Sequence, residues 1–197
     1  MTALLQENGR KSTCSVACPS DPVSAAILPL VAVLRQLAEL VNLLTDEQYV
    51  QKPVGVVPSS IGGHIRHNLD HVDAFLAGVA GGEIDYDQRQ RGTEVETKRR
   101  AAIEALHRQE RELLAFVELG VASEDQSLRL RIVVAPSLPP IEVETSVGRE
   151  LSFVLSHTIH HNALIGVMAK LLGVPVPERF GYAPSTIAHL EKQSCAR

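Results

Sequence analysis

Apolar side chains recur at three- and four-residue intervals through four separate blocks of this chain, and that spacing restricts it to packed helices. The first block carries Leu30, Leu34, Leu37, Leu40, Val41 and Leu44 and predicts a helix over 23–44. Pro22 and Pro29 fall near its start, where proline is tolerated. The second follows Pro58, with Ser59 or Ser60 as its cap. It carries Ile61, Ile65, Leu69, Val72 and Leu76 and stops at Gly81-Gly82. The third starts near Thr93, where Glu96 completes a capping box, and runs through Ile103, Leu106, Leu113, Leu114 and Val117 to Gly120. The fourth starts at Thr145 or Ser146 and ends near Gly173, with Pro175 and Pro177 preventing continuation. Tryptophan is absent and aromatics are only 4% of residues, so the core must be aliphatic.

The connections are also informative. Thr45-Asp46-Glu47-Gln48 predicts a short capped turn. Residues 83–92 predict a polar loop. Leu128-Arg-Leu-Arg-Ile and Ile141-Glu-Val-Glu-Thr alternate apolar with polar residues, which predicts a short hairpin before the last long helix. A short helix follows Pro184. The expected fold is all-α: a four-helix bundle with one extended excursion, the architecture that builds metal sites between facing helices. Residues 1–21 are expected to form a flexible tail and 22–197 a single domain.

Composition excludes several functions. A net charge of -4 argues against a nucleic-acid surface, and Lys98-Arg99-Arg100 has acids on both sides, the pattern of a solvated helix face. Cys14, Cys18 and Cys195 are odd in number and lie near the termini, so they form no disulfide framework. Polar residues interrupt the stretch from Ile27 to Leu44, which reads as a buried amphipathic helix and not a membrane span. The expected compartment is the cytoplasm.

Six of the eight histidines fall in two of the helical blocks. A helix advances about 100° per residue, so His64, His67 and His71 span an arc of roughly 60° beside the apolar stripe of the second block. His157 and His161, one turn apart, fall on the core stripe of the fourth, and His160 points about 60° to the other side. Burying unpartnered imidazoles costs roughly 1–3 kcal/mol each, so two facing sets point to a shared divalent cation. The pattern admits three protein ligands with an open position, as in catalytic zinc sites, or a closed set of four. His157 and His161 are the strongest ligands. One or two of His64, His67 and His71 complete the set, and the others, with His160, are partners of the ligands or surface groups. His107 and His189 are isolated. The chain lacks the His-Glu-x-x-His pattern of zinc proteases, and Glu104-Ala-Leu-His107 is a single, isolated match to the di-iron motif.

Glu150 precedes His157 by seven residues, on nearly the same meridian. It is a candidate to orient a ligand or act as a base, or simply to complement the helix N-terminus. Arg66, Arg89, Arg91 and Arg149 are candidates for an anion-binding rim, with ordinary ion pairing as the alternative.

The order of motifs resembles the DinB-like superfamily. Ser60-Ile61-Gly62 leads to His67 on one helix, and His157 and His161 follow on the last long one. The likeness extends through Tyr86-Asp87-Gln88-Arg89-Gln90-Arg91, Thr145-Ser146, Arg149-Glu150-Leu151 and Phe180-Gly181-Tyr182 to Thr186, and is closest to an uncharacterised branch. The resemblance implies a helical bundle holding zinc or nickel on three histidines, by position His67, His157 and His161. It also implies a homodimer and a small-molecule substrate, with no DNA binding. Characterised relatives include bacillithiol-dependent S-transferases and mycothiol-dependent isomerases. His64 and His71, flanking His67, depart from the simplest pattern. The expected function is a metal-dependent transferase using a low-molecular-weight thiol, or a hydrolase. The alternatives are a metal-binding or stress-response bundle without turnover, and a structural bundle with a histidine network.

Overall fold

The computed structural model describes residues 21–55 and 58–195. The tail expected over 1–21, with Cys14 and Cys18, lies outside the described residues apart from Asp21. Asp21 caps the first helix, accepting the Ser24 N–H at 2.8 Å.

Four long helices match the four apolar blocks: α1 (Pro22–Asn42), α3 (Ile61–Gly81), α5 (Arg99–Glu118) and α6 (Val147–Leu171). Helix α2 (Asp46–Val50) is the expected capped turn, with Thr45 and Gln48 exchanging side-chain and backbone hydrogen bonds. Helix α1 packs against α5 and α6, and α3 packs against the same two. Helix α1 is long and apolar enough to cross a membrane by length and composition alone. Here, however, Ile27, Leu30, Leu34, Leu37 and Val41 are buried in the aliphatic core.

The chain is mostly helical, as expected, and a small three-stranded sheet lies beside the helices. It comprises β1 (Glu83–Asp85), β2 (Ser127–Ile132) and β3 (Ile141–Ser146). The β2–β3 hairpin was expected; β1, which pairs parallel to β2 with Ile84 opposite Leu130, was expected to be loop. Three residues are too few to display alternation. Ile84, fully buried against α3, supplies the anchor.

Helix α3 approaches β1 closely at Gly78. A Cβ there would collide with Ile84 Cγ1 and lie 2.9 Å from the Glu83 carbonyl. Alanine gains about 1 kcal/mol of helix propensity over glycine, but overpacking costs about 1–3 kcal/mol. Gly78→Ala is therefore expected to lower the Tm by a few degrees. A raised Tm would show that β1 does not press on α3.

The expected third helix is also broken. A short α4 (Glu94–Thr97) precedes α5, with Lys98 extended between them. The Tyr49 hydroxyl donates to the Val95 carbonyl at 2.6 Å, taking the acceptor that Arg99 N–H would use in a continuous helix. The Thr93–Glu96 capping box does not form, since Thr93 makes no cap bond and the Glu96 carboxylate pairs with Arg66 at 2.5 Å.

Strand β3 runs directly into α6, whose N-cap is Ser146. The segment after β1 is tied down as well. Asp85 accepts the Asp87 and Gln88 N–H groups, and Asp87 accepts the Val133 N–H at 2.9 Å. These bonds hold Tyr86 and Arg89 between α3 and the end of the hairpin.

Candidate metal centre

The imidazoles of α3 and α6 meet where these helices pack. On α3, the buried positions Ile61, Ile65, Leu69 and Val72 turn His64 and His71 inward and leave His67 half-buried. On α6 the buried polar positions are Glu150, Thr158 and Asn162, while His157 and His161 are half-buried. The core stripe of α6 keeps Val154, Ile165 and Met168 fully buried but runs through Thr158 and Asn162 instead of the two histidines. His157 and His161 sit at its edge, where they face α3 without being sealed from solvent.

His67 Nε2 lies 3.0 Å from His157 Nε2. The His71 ring stacks on His157 with centroids 4.1 Å apart. Ligand atoms of His67, His71 and His157 all fall within 4.8 Å of one another. His161 is adjacent, its centroid 4.5 Å from His157 and 4.6 Å from His67, but its Nδ1 faces His64 Nδ1 at 2.9 Å. His160 is exposed, its ring centroid 5.5 Å from that of His161.

The hydrogen bonds assign protons. His71 Nδ1–H donates to the His67 carbonyl at 2.9 Å, which leaves a lone pair on its Nε2. That is how a metal-binding histidine is usually oriented. A guanidinium can only donate, so Arg89 Nη1, 2.9 Å from His67 Nδ1, makes that nitrogen an acceptor. A neutral His67 then carries its proton on Nε2 and donates to His157. Binding a cation through His67 Nε2 requires that proton to leave and Arg89 to release Nδ1. His64 Nε2 is buried and has no partner. With those adjustments at His67 and Arg89, the donor set fits a divalent cation of the kind imidazole binds.

Burial is the largest cause holding these rings neutral. It pushes His67 down to about 2, helped by His71, His161, His157 and Arg89. His161 falls to about 3, with His157, His64 and His160 contributing, and His157 to about 4, with His71, His160 and Arg89 contributing. His64 and His71 are lowered by burial as well. Unfolded histidines protonate near pH 6.5, so below that pH the unfolded chain binds more protons than the folded one. This stability is fully present above about pH 6.5 and is lost as the pH falls toward the folded values. Partial exposure screens each contribution. The metal-free protein is therefore expected to lose on the order of 5 °C in Tm between pH 7 and pH 5. A Tm that stays flat in a thermal scan would contradict a neutral cluster.

A cleft of about 290 Å³ opens beside the triad, lined by Tyr86, Phe153, Arg89 and Arg131 among others. Tyr86 stacks on His71, with ring planes 9° apart. The Tyr86 hydroxyl donates to Glu150 Oε2 at 2.9 Å, and burial, reinforced by that carboxylate, raises its pKa. Glu150 Oε1 accepts from Thr145 at 2.6 Å and from Arg149 at 2.7 Å. Glu150 therefore reaches the histidines only through Tyr86; no bond joins it to an imidazole among the described residues.

The arginines separate. Arg89 lines the cleft. Arg66 lies on another face of α3, paired with Asp70 and Glu96. Arg149 is 58% exposed, 5.3 Å above the Phe153 ring. Arg91 is exposed. A larger cavity of about 530 Å³ lies along the Arg66 face of α3, shares Arg89 with the cleft, and is lined by Asp70, Asp73 and Arg108 among others. Tyr86, Phe153 and Arg131 were not expected as site residues from the sequence. The Tyr86–Arg91 segment stood out as a motif without a role, and nothing in the pattern tied Phe153 or Arg131 to the histidines.

The sequence matches the profile of the DinB superfamily over residues 30–165. It is also similar to FK506-binding protein 5 of Rhizopus delemar, with 31% identity over 165 residues. That alignment covers 83% of this chain but 37% of the relative, so the chain spans well under half of that protein's length.

Proposed function

The chain belongs to the DinB superfamily, and we propose that it is a metal-dependent enzyme using a small thiol or water against a small electrophile. The observation that carries this reading is the cluster of His67, His71 and His157 facing an open cleft. These three histidines would hold the cation, zinc or nickel, within a four-helix bundle of α1, α3, α5 and α6. A bound divalent cation would lower the pKa of a thiol or water and stabilise a developing anion. The chain's own groups divide the remaining work. His71 is oriented by the His67 carbonyl, Tyr86 and Phe153 form an apolar wall that limits water, and Glu150 fixes the Tyr86 ring. The odd cysteine count supports a reducing, cytoplasmic compartment. Exposed Val133, Val134, Ile141 and Val143 on the hairpin support association into a homodimer.

A second reading, a metal-binding bundle without turnover, draws support from His161. Its ring is close enough to His67 and His157 to join them as a fourth ligand and close the site. An assay separates the two readings. Zinc- and nickel-loaded protein is incubated with a thiol panel and monochlorobimane, and adduct formation is followed by fluorescence. Thiol transfer is expected to require the metal and to vanish with a chelator. Stoichiometric metal with no turnover of any thiol, or of ester and amide substrates, would favour the closed site.

A further inference from the structure

We propose that the cleft beside the histidines takes a small carboxylate monoanion, held by the guanidinium forks of Arg89 and Arg131 with its apolar body between Tyr86 and Phe153. The proposal rests on reading that cleft as the ligand site of the function above.

The charged side chains lining the cleft are Arg89, Arg131 and Asp87, which together carry a surplus of one positive charge. Neither arginine is held by a close carboxylate there. Arg89 lies 3.8 Å from Asp87, and Arg131 lies 3.7 Å from Asp85. These loose pairs contrast with the short bidentate contacts that normally satisfy a guanidinium. The Asp87 carboxylate is anchored through Oδ2, which accepts the Val133 N–H, and its Oδ1 stays 3.8 Å from Arg89. Arg89 Nε is buried and has no partner. Its Nη1 donates to His67 Nδ1, the bond that cation binding must break, so loading the histidines frees more of the fork. A planar fork matches a planar carboxylate. Asp87 in the wall disfavours a dianion such as phosphate. The Tyr86 and Phe153 rings, with centroids 5.2 Å apart, supply the apolar surface. The volume, about 290 Å³, limits the ligand to a small molecule.

The test is calorimetric titration of the 197-residue protein, metal-free and zinc-loaded, with benzoate, its uncharged analogue benzamide, and inorganic phosphate. Benzoate is expected to bind at least about tenfold more tightly than benzamide, and more tightly than phosphate. Arg131 is 48% exposed, so Arg131→Gln should fold normally. It is expected to weaken benzoate by at least about tenfold while zinc content stays unchanged. Arg131→Lys, which keeps the charge but not the fork, should restore only part of that loss. Equal binding of benzoate and benzamide overturns the proposal. So does absence of benzoate binding, tighter binding of phosphate, or benzoate affinity unchanged in both Arg131→Gln and Arg89→Gln. The last result with a strict zinc requirement would mean that the cation alone holds the carboxylate. If the protein takes no zinc but benzoate binding stays arginine-dependent, the metal reading fails and the anion site stands.

Discussion

Replacing His157 with alanine is expected to abolish stoichiometric binding of a divalent cation. His157 supplies the α6 side of the triad, with Nε2 3.0 Å from His67 Nε2 and its ring stacked on His71. Losing an outer partner of a ligand already costs about 10–100-fold in metal affinity. Losing a ligand from a set of three should exceed about 100-fold and empty the site after dialysis. Elemental analysis and competition with a chromophoric chelator read this directly. His160→Ala is the control, because that ring is exposed and flanks His161 without entering the triad, so its removal should leave the metal content intact. His71→Ala and His161→Ala decide the third ligand. The His71 lone pair is set up by the His67 carbonyl, whereas His161 is engaged by His64, so His71→Ala is expected to cost more. Metal content unchanged in His157→Ala would show that the cation, if bound, is held elsewhere.

Replacing Glu150 with alanine is expected to destabilise the protein by about 3 kcal/mol, or a Tm loss on the order of 10 °C. The carboxylate is fully buried and accepts from Tyr86, Thr145 and Arg149. Truncation leaves two half-buried hydroxyls without their acceptor, each at the lower end of the roughly 1–3 kcal/mol that an unsatisfied buried group costs, and empties the buried space of the carboxylate. Arg149 can turn to water and adds little. The ring of Tyr86 also loses its tether, so the aromatic wall over His71 loosens. Tyr86→Phe isolates one of these bonds and is expected to cost only about 1 kcal/mol. If Glu150 instead served as a base on bound water, its removal would reduce turnover and leave the Tm alone. A thermal scan beside an activity assay therefore separates a positioning role from a catalytic one.

Both expectations depend on features that the sequence reveals unequally. The helix starts at Ser60 and Ser146, the Thr45–Gln48 box and the stop at Gly82 are written in local chemistry, because caps need particular side chains within a few residues. The hairpin before α6 shows in its alternation. The two histidine-bearing faces show as well, because helical periodicity fixes which residues share a side.

Other features depend on partners distant in sequence. Strand β1 exists because Leu130 and α3 receive Ile84. The break at Lys98 exists because Tyr49 reaches across to Val95. A helical wheel resolves facing only to within a residue. It placed His157 and His161 in the core, whereas packing puts Thr158 and Asn162 there and moves the imidazoles to the rim of a cleft. The competition between His71 and His161 is similarly invisible in spacing. It is decided by the carbonyl that holds one ring and the imidazole that holds the other.

The most direct measurement is anomalous diffraction at the zinc edge from crystals of the zinc-loaded protein. The expected result is one peak between α3 and α6, with nitrogens of His67, His71 and His157 about 2.0–2.1 Å from it. Arg89 should then have withdrawn from His67 Nδ1. A density map with no peak there, or a cation bound without any imidazole of α3, would contradict the account.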